Sequence, residues 1–121
     1  IKKELAQAER PAGVFSNFMH DRLKIGDVLQ TKAPTGGFYF VSSLQRPVVF
    51  ISAGIGITPM IAMARHALQE GFRARSMSPI LLICSARNSE QRAFYAELNE
   101  LAEQSAGYTR VIWVLSQPEA H

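Results

Sequence analysis

From residue 47 onward the chain alternates unbroken apolar runs with stretches of helical spacing. Residues 48–52, 80–85 and 111–115 are apolar runs of strand length. Between them, 59–70 carries a helical pattern closed by Gly71, and 90–104 sets Phe94, Leu98 and Leu101 on one helical face. Runs that lack polar alternation suit a parallel sheet covered on both faces. Strand–helix–strand–helix–strand predicts a three-layer, doubly wound, Rossmann-like α/β domain with right-handed crossovers.

Residues 1–46 have a different texture. A short strand is expected at 1–5, then a turn at 8–13 around Pro11 and Gly13. Ser16 reads as the N-cap of a two-turn helix over 17–23. Gly26-Asp27 marks a turn before a strand, and 34–40 is a glycine turn entering an aromatic strand. Residues 42–46 read as a linker. The expected division is a β-rich part, 1–46, and an α/β part, 47–121.

Composition narrows the classes. The chain has 121 residues, 47% hydrophobic and 19% charged, which suits a packed core and not disorder. The net charge of +3 favours small anions, but no Lys/Arg block points to nucleic acid. No run approaches the roughly 18–20 apolar residues of a membrane span. The lone cysteine, Cys84, provides neither an intrachain disulfide nor a metal cluster. A cytoplasmic protein with no metal site is the expectation.

The stretch "PVVFISAGIGITPM" (47–60) carries the chemistry. A strand runs into Gly54 and Gly56 and then into a helix. Backbone N–H groups at a helix start lack partners, and the aligned peptide dipoles make that end positive. Glycines allow a sharp bend and close approach of a ligand. Thr58 is the expected N-cap, with Pro59 at the first helical position. The product is a phosphate or diphosphate cradle at the carboxyl edge of the sheet. A tight turn with no ligand fits the same residues, since Pro59 stands where G-x-G-x-x-G has its third glycine.

"ISAGIGITPM" resembles the nicotinamide-nucleotide loop of the ferredoxin–NADP reductase superfamily, G-x-G-x-T-P, matched by Gly54, Ile55, Gly56, Ile57, Thr58 and Pro59. The resemblance implies that this loop faces the cofactor's pyrophosphate and nicotinamide ribose, with Thr58 near the carboxamide. Residues 13–40 resemble the second half of the family's flavin-binding barrel. Gly13, Val14, Phe15 and Ser16 match the segment that holds the FAD pyrophosphate, and Gly26-Asp27 and Pro34-x-Gly36-x-Phe38 match later landmarks. "SNFMHD", "SARNSEQRAFYAELNELA" and "SQPEA" bring the chain nearest the reductase portion of flavohaemoglobins, with oxygenase reductases a near second.

By the same resemblance, Ser85 and Arg87 stand where an adenosine ribose sits. Ser116 and Gln117 stand where NADP-using relatives carry Ser-Arg. Gln117 in place of that Arg removes a bidentate phosphate grip and favours NADH, with NADPH still within reach of Arg87. Cys84, Met60, Met63 and Trp113 read as core; His20 and His66 as structural or surface groups; Glu90, Glu97, Glu100 and Glu103 as a solvated helix face.

The family's R-x-[YF]-[ST] flavin motif and its C-G-P-like segment are not found. The chain is expected to join the back of a flavin module to the front of a nucleotide module. Its strand edges invite dimerisation. The implied function is an NAD(P)H-dependent flavin reductase. Hydride passes from NADH to FAD, then single electrons reach a haem or 2Fe-2S acceptor in a partner domain or protein. No acid–base catalytic residue is expected, because the cofactors do the chemistry. The alternative is a truncated, non-catalytic nucleotide-binding or interaction fragment without a complete flavin site.

Overall fold

The computed structural model describes residues 1–41 and 46–118, and the chain divides into two compact units, 1–37 and 38–121. Most of the expected linker, 42–45, lies outside the described residues.

In the first unit the one regular element is α1 (Val14–Asp21), capped by Gly13. It begins earlier than expected, so Ser16 lies inside the first turn and is not the N-cap. The N-terminal segment folds against it. Gly13 N–H donates to Glu4 O at 3.0 Å, and Lys3 Nζ meets Asp21 Oδ1 at 2.5 Å. A Cβ on Gly13 would stand 2.6 Å from Ser16 Oγ and 3.0 Å from Glu4 Cβ, so glycine is what lets the segment approach. Besides an isolated bridge between Gln7 and Arg10, the first unit holds no strand pairing among the described residues. The strands expected at 1–5 and after Gly26-Asp27 are therefore not formed as ladders, and the aromatic stretch before 40 is likewise unpaired. A strand exists only by pairing with a neighbour, and no described segment supplies one.

The second unit is the expected parallel sheet: β1 (Val48–Ala53), β2 (Ile80–Ala86) and β3 (Thr109–Leu115), in the order β1-β2-β3. Phe50 pairs in register with Leu82, and Leu82 with Val111. A 3-10 turn (Gly54–Gly56) and α2 (Ile57–Ala74) link β1 to β2, and α3 (Tyr95–Gln104) links β2 to β3. Both crossovers run the same way along the sheet, so right-handedness puts both helices on one face. Burial agrees. Phe50, Leu82 and Cys84 are buried beneath Ile57, Ile61, Ala64 and Leu68 of α2 and Leu98 of α3. The α2 residues recur at helical spacing, and each fully buried aliphatic side chain contributes about 2 kcal/mol. Phe40 joins this unit, its ring edge-on to Phe50 at 5.6 Å between centroids.

Val49, Ile51, Ile112 and Val114 occupy the opposite face and are exposed. The described residues thus form two of the three expected layers. A helix over that face needs a crossover in the other direction, beyond β1.

Helix boundaries shift for local reasons. α2 runs past Gly71 to Ala74, and the left-handed break falls on Arg75, φ 51°. Arg75 N–H bonds Phe72 O and Ser76 N–H bonds Gly71 O, a Schellman closure. Gly71 serves packing instead, since a Cβ there would lie 2.7 Å from Met77 Sδ. α3 begins at Tyr95, not 90, because Phe94 is left-handed at φ 59° and the preceding residues turn on Asn88 Oδ1, which accepts Gln91 N–H. Glu97 is half-buried and pairs with Arg65, tying α3 to α2, so it is not part of a solvated face.

Candidate functional site

Three loops meet at the carboxyl edge of the sheet. β1 delivers Gly54–Gly56, β2 delivers Ser85 and Arg87, and β3 delivers Ser116 and Gln117. Ala53, Ser85 and Val114 stand in register. The pairing continues past the strands: Ser116 N–H donates to Ala86 O at 3.0 Å and Gln117 N–H to Arg87 O at 2.7 Å. The ten second-unit positions that the resemblance singles out, 54 to 59, 85, 87, 116 and 117, therefore share one edge, apart from the side chain of Ile57, which is buried in the core.

The glycine turn is built with little side-chain help. Gly54 has φ +52°, a conformation that favours glycine. Ile57 N–H reaches Gly54 O and Ile55 O, so the turn runs directly into α2 with Gly56 at its cap. For that reason Thr58 is not the N-cap and Pro59 is the third helical residue, not the first. Pro59 still lies in the first turn, where an N–H has no helical partner. Thr58 Oγ1 donates back to Ile55 O at 3.2 Å.

Gly56 is the informative residue. Its φ of −60° and ψ of −7° suit any amino acid, and a Cβ there would meet nothing within 4 Å. Neither backbone strain nor packing among the described residues requires glycine. What glycine preserves is open space over the start of an 18-residue helix. That is the geometry a diphosphate needs.

The flavin-type segment belongs to the other unit. The first-turn amides of α1, at Val14 and Phe15, are exposed and are of the kind a helix leaves unpartnered. Ser16 Oγ is committed: it donates to Gly13 O at 3.2 Å and accepts Glu4 N–H at 3.1 Å. The start of α1 thus leaves exposed first-turn residues, while the Ser16 hydroxyl is bonded within the protein itself.

Arg92 and Tyr95, after β2, carry no expectation from the sequence. Arg92 Nε donates to Ser89 O at 2.9 Å, and Arg92 Cζ lies 3.9 Å over the Tyr95 ring. Tyr95 in turn packs on Trp113, 6.1 Å between centroids. A hydrogen bond from Asn99 and the positive charge of Arg92 hold the Tyr95 phenol below its ordinary range. The i, i+3 spacing of Arg92 and Tyr95 was the available signal. Burial pushes the Cys84 thiol up, opposed in part by a hydrogen bond with Ser52. His20 Nε2 lies 2.6 Å from Ile1 O, and His66 is exposed. No group of three metal-ligating side chains occurs among the described residues, and no described helix is long and apolar enough to cross a membrane. A cavity of about 260 Å³ lies at the amino edge, between Phe40, Val48, Gly71 and Ile80, away from the glycine turn.

Comparison with known proteins decides the family. The model of the oxidoreductase NAD-binding domain matches residues 50–121. The chain belongs to that family. It is 35% identical over 104 residues to a flavohemoprotein of Halalkalibacterium halodurans, covering 86% of this chain and 24% of that protein. A flavohemoprotein of Bacillus subtilis is 39% identical over 101 residues, covering 84% and 24%. The chain thus spans about a quarter of the length of these relatives. The family membership and these relatives bear out the likeness to the reductase portion of flavohaemoglobins within the ferredoxin–NADP reductase superfamily. Among solved structures, the cytochrome b5 reductase domain of Ulva prolifera nitrate reductase superposes with a TM-score of 0.75 at 22% identity, over 98% of this chain and 48% of that one. Ferredoxin-NADP+ reductase from Plasmodium falciparum with 2'P-AMP gives 0.67 at 19% identity, over 96% and 46%. These two establish the shared fold.

Proposed function

We propose that the chain binds NADH along the carboxyl edge of its sheet and forms the nucleotide-binding part of a flavin-dependent reductase. The observation that carries the nucleotide reading is Gly56, a glycine that neither strain nor packing among the described residues requires. Backbone amides at the glycine turn and the start of α2 hold the diphosphate, helped by the helix dipole. Ile57 anchors the turn from below, so the cradle is set before ligand arrives. Thr58, fixed by its bond to Ile55 O, presents its remaining lone pairs to the nicotinamide amide. Ser85 and Arg87 take the adenosine ribose. Gln117 is neutral and offers no paired guanidinium grip for a 2′-phosphate, which favours NADH over NADPH.

A bound nicotinamide would supply a hydride, for which a flavin would be the acceptor and the source of single electrons for a haem or iron–sulfur centre. This chain's residues bind and orient; none is assigned an acid–base step. A second reading, nucleotide binding without a flavin, is favoured by the commitments of Ser16 Oγ.

One experiment separates the two. The purified chain is incubated with FAD, desalted, and its visible spectrum taken before and after anaerobic NADH. A retained flavin band that bleaches supports the reductase. No retained flavin, with NADH still bound, selects the second reading.

A further inference from the structure

The loop after β2 holds an arginine stacked on an aromatic ring. Arg92 is half-buried, its Cζ lies over the Tyr95 ring at 3.9 Å from the centroid, and its Nε is tied to Ser89 O. Among the described residues no carboxylate pairs with it, so the neighbours of its guanidinium are Ser89 O and the Tyr95 ring. Next to it Phe94, a bulky residue, takes φ 59°, which reverses the chain so that Arg92 can cover a side chain three residues on. Tyr95 is itself fixed by Trp113, which stands in register with Cys84 near the carboxyl end of β3. This places the Arg92–Tyr95 pair over the carboxyl half of the sheet, on the side away from the glycine turn.

Resting on the nucleotide reading above, we infer that the outward face of the Arg92–Tyr95 stack is the platform for the adenine ring. Adjacent strands lie about 4.8 Å apart, so the ends of β1 and β3 are about 10 Å apart. That distance leaves room for the ribose, beside Ser85 and Arg87, between a diphosphate at Gly56 and a base at Arg92. A guanidinium backed by an aromatic ring is a flat cationic surface, and a neutral heterocycle stacks on it. Its orientation is fixed before the ligand arrives, so little entropy is lost on stacking.

The test uses the two halves of the dinucleotide as probes. Calorimetric titrations with AMP, nicotinamide mononucleotide and 2′,5′-ADP are run on the parent chain, Arg92→Ala and Arg92→Lys. The expected result is an AMP affinity at least fivefold weaker in both variants, with the mononucleotide affinity and the melting temperature unchanged. Lysine keeps the charge but not the plane, so restoration of AMP binding by Arg92→Lys overturns a stacking platform. A loss confined to 2′,5′-ADP also overturns it, because Arg92 then reads a phosphate. Arg92→Lys alone decides the matter should Arg92→Ala not fold. Gly56→Val keeps the two proposals apart. If that change abolishes NADH binding while Arg92 variants bind AMP normally, only the platform fails. If Gly56→Val has no effect on NADH, the nucleotide reading fails instead.

Discussion

Gly56 and Ile57 are neighbours in the chain and opposites in space. Ile57 is 2% exposed and packs into the core, while a Cβ on Gly56 would meet no atom within 4 Å. One residue pins the turn to the sheet, and the next keeps the space above it clear. Gly56→Val should therefore weaken NADH binding at least tenfold with little change in melting temperature. Gly54→Ala should behave in the reverse sense, because φ +52° strains a side chain: a loss of about 1 kcal/mol in stability. Fluorescence titration with NADH and denaturant melts of both variants read the two effects. Unchanged NADH affinity in Gly56→Val would remove the diphosphate from this turn.

Gln117 sits one residue past Ser116, its amide hydrogen-bonded to Arg87 O. Gln117→Arg adds a guanidinium at the ribose end. The expected outcome is a rise of about tenfold in the NADPH-to-NADH affinity ratio, the scale of one charge-assisted pair. A constant ratio would take Gln117 out of the site.

Cys84 is 1% exposed, and burial raises its thiol pKa above the ordinary 9.0. The folded state thus favours the neutral thiol. This contribution to stability is complete below the unfolded pKa and is lost as pH rises through the folded one. Melting temperature should fall as pH is raised above about 9, and less steeply in Cys84→Ala, which has nothing to ionise. Thiol reagents at neutral pH should label the folded chain far more slowly than the denatured one.

Arg75 closes α2 in a left-handed conformation and is exposed. Arg75→Gly removes the Cβ conflict and keeps both backbone bonds to Phe72 and Gly71. A gain of about 1 kcal/mol is expected. Chemical denaturation measures it directly, and a loss would mean that the arginine side chain has a role the closure does not explain.

The sequence by itself determined the three parallel strands, the two helices between them and the glycine turn at their carboxyl edge. Those features are local: apolar runs, helical spacing and the backbone freedom of Gly54 are properties of consecutive residues. The strand–turn–helix geometry around Gly54–Gly56 was legible for the same reason, since the three follow one another in the chain. Helix starts and stops were less legible, because Gly71 serves Met77 and not the helix end, and Arg75 and Phe94 break helices with no glycine to mark them. Only the tertiary structure decided that Ser16 Oγ bonds Glu4 and Gly13, that Glu97 faces Arg65, and that both helices cover one face. It also placed Tyr95 between Arg92 and Trp113. Each of those depends on which residues distant in the chain, or turned out of regular spacing, come within a few ångströms, and no local pattern encodes that.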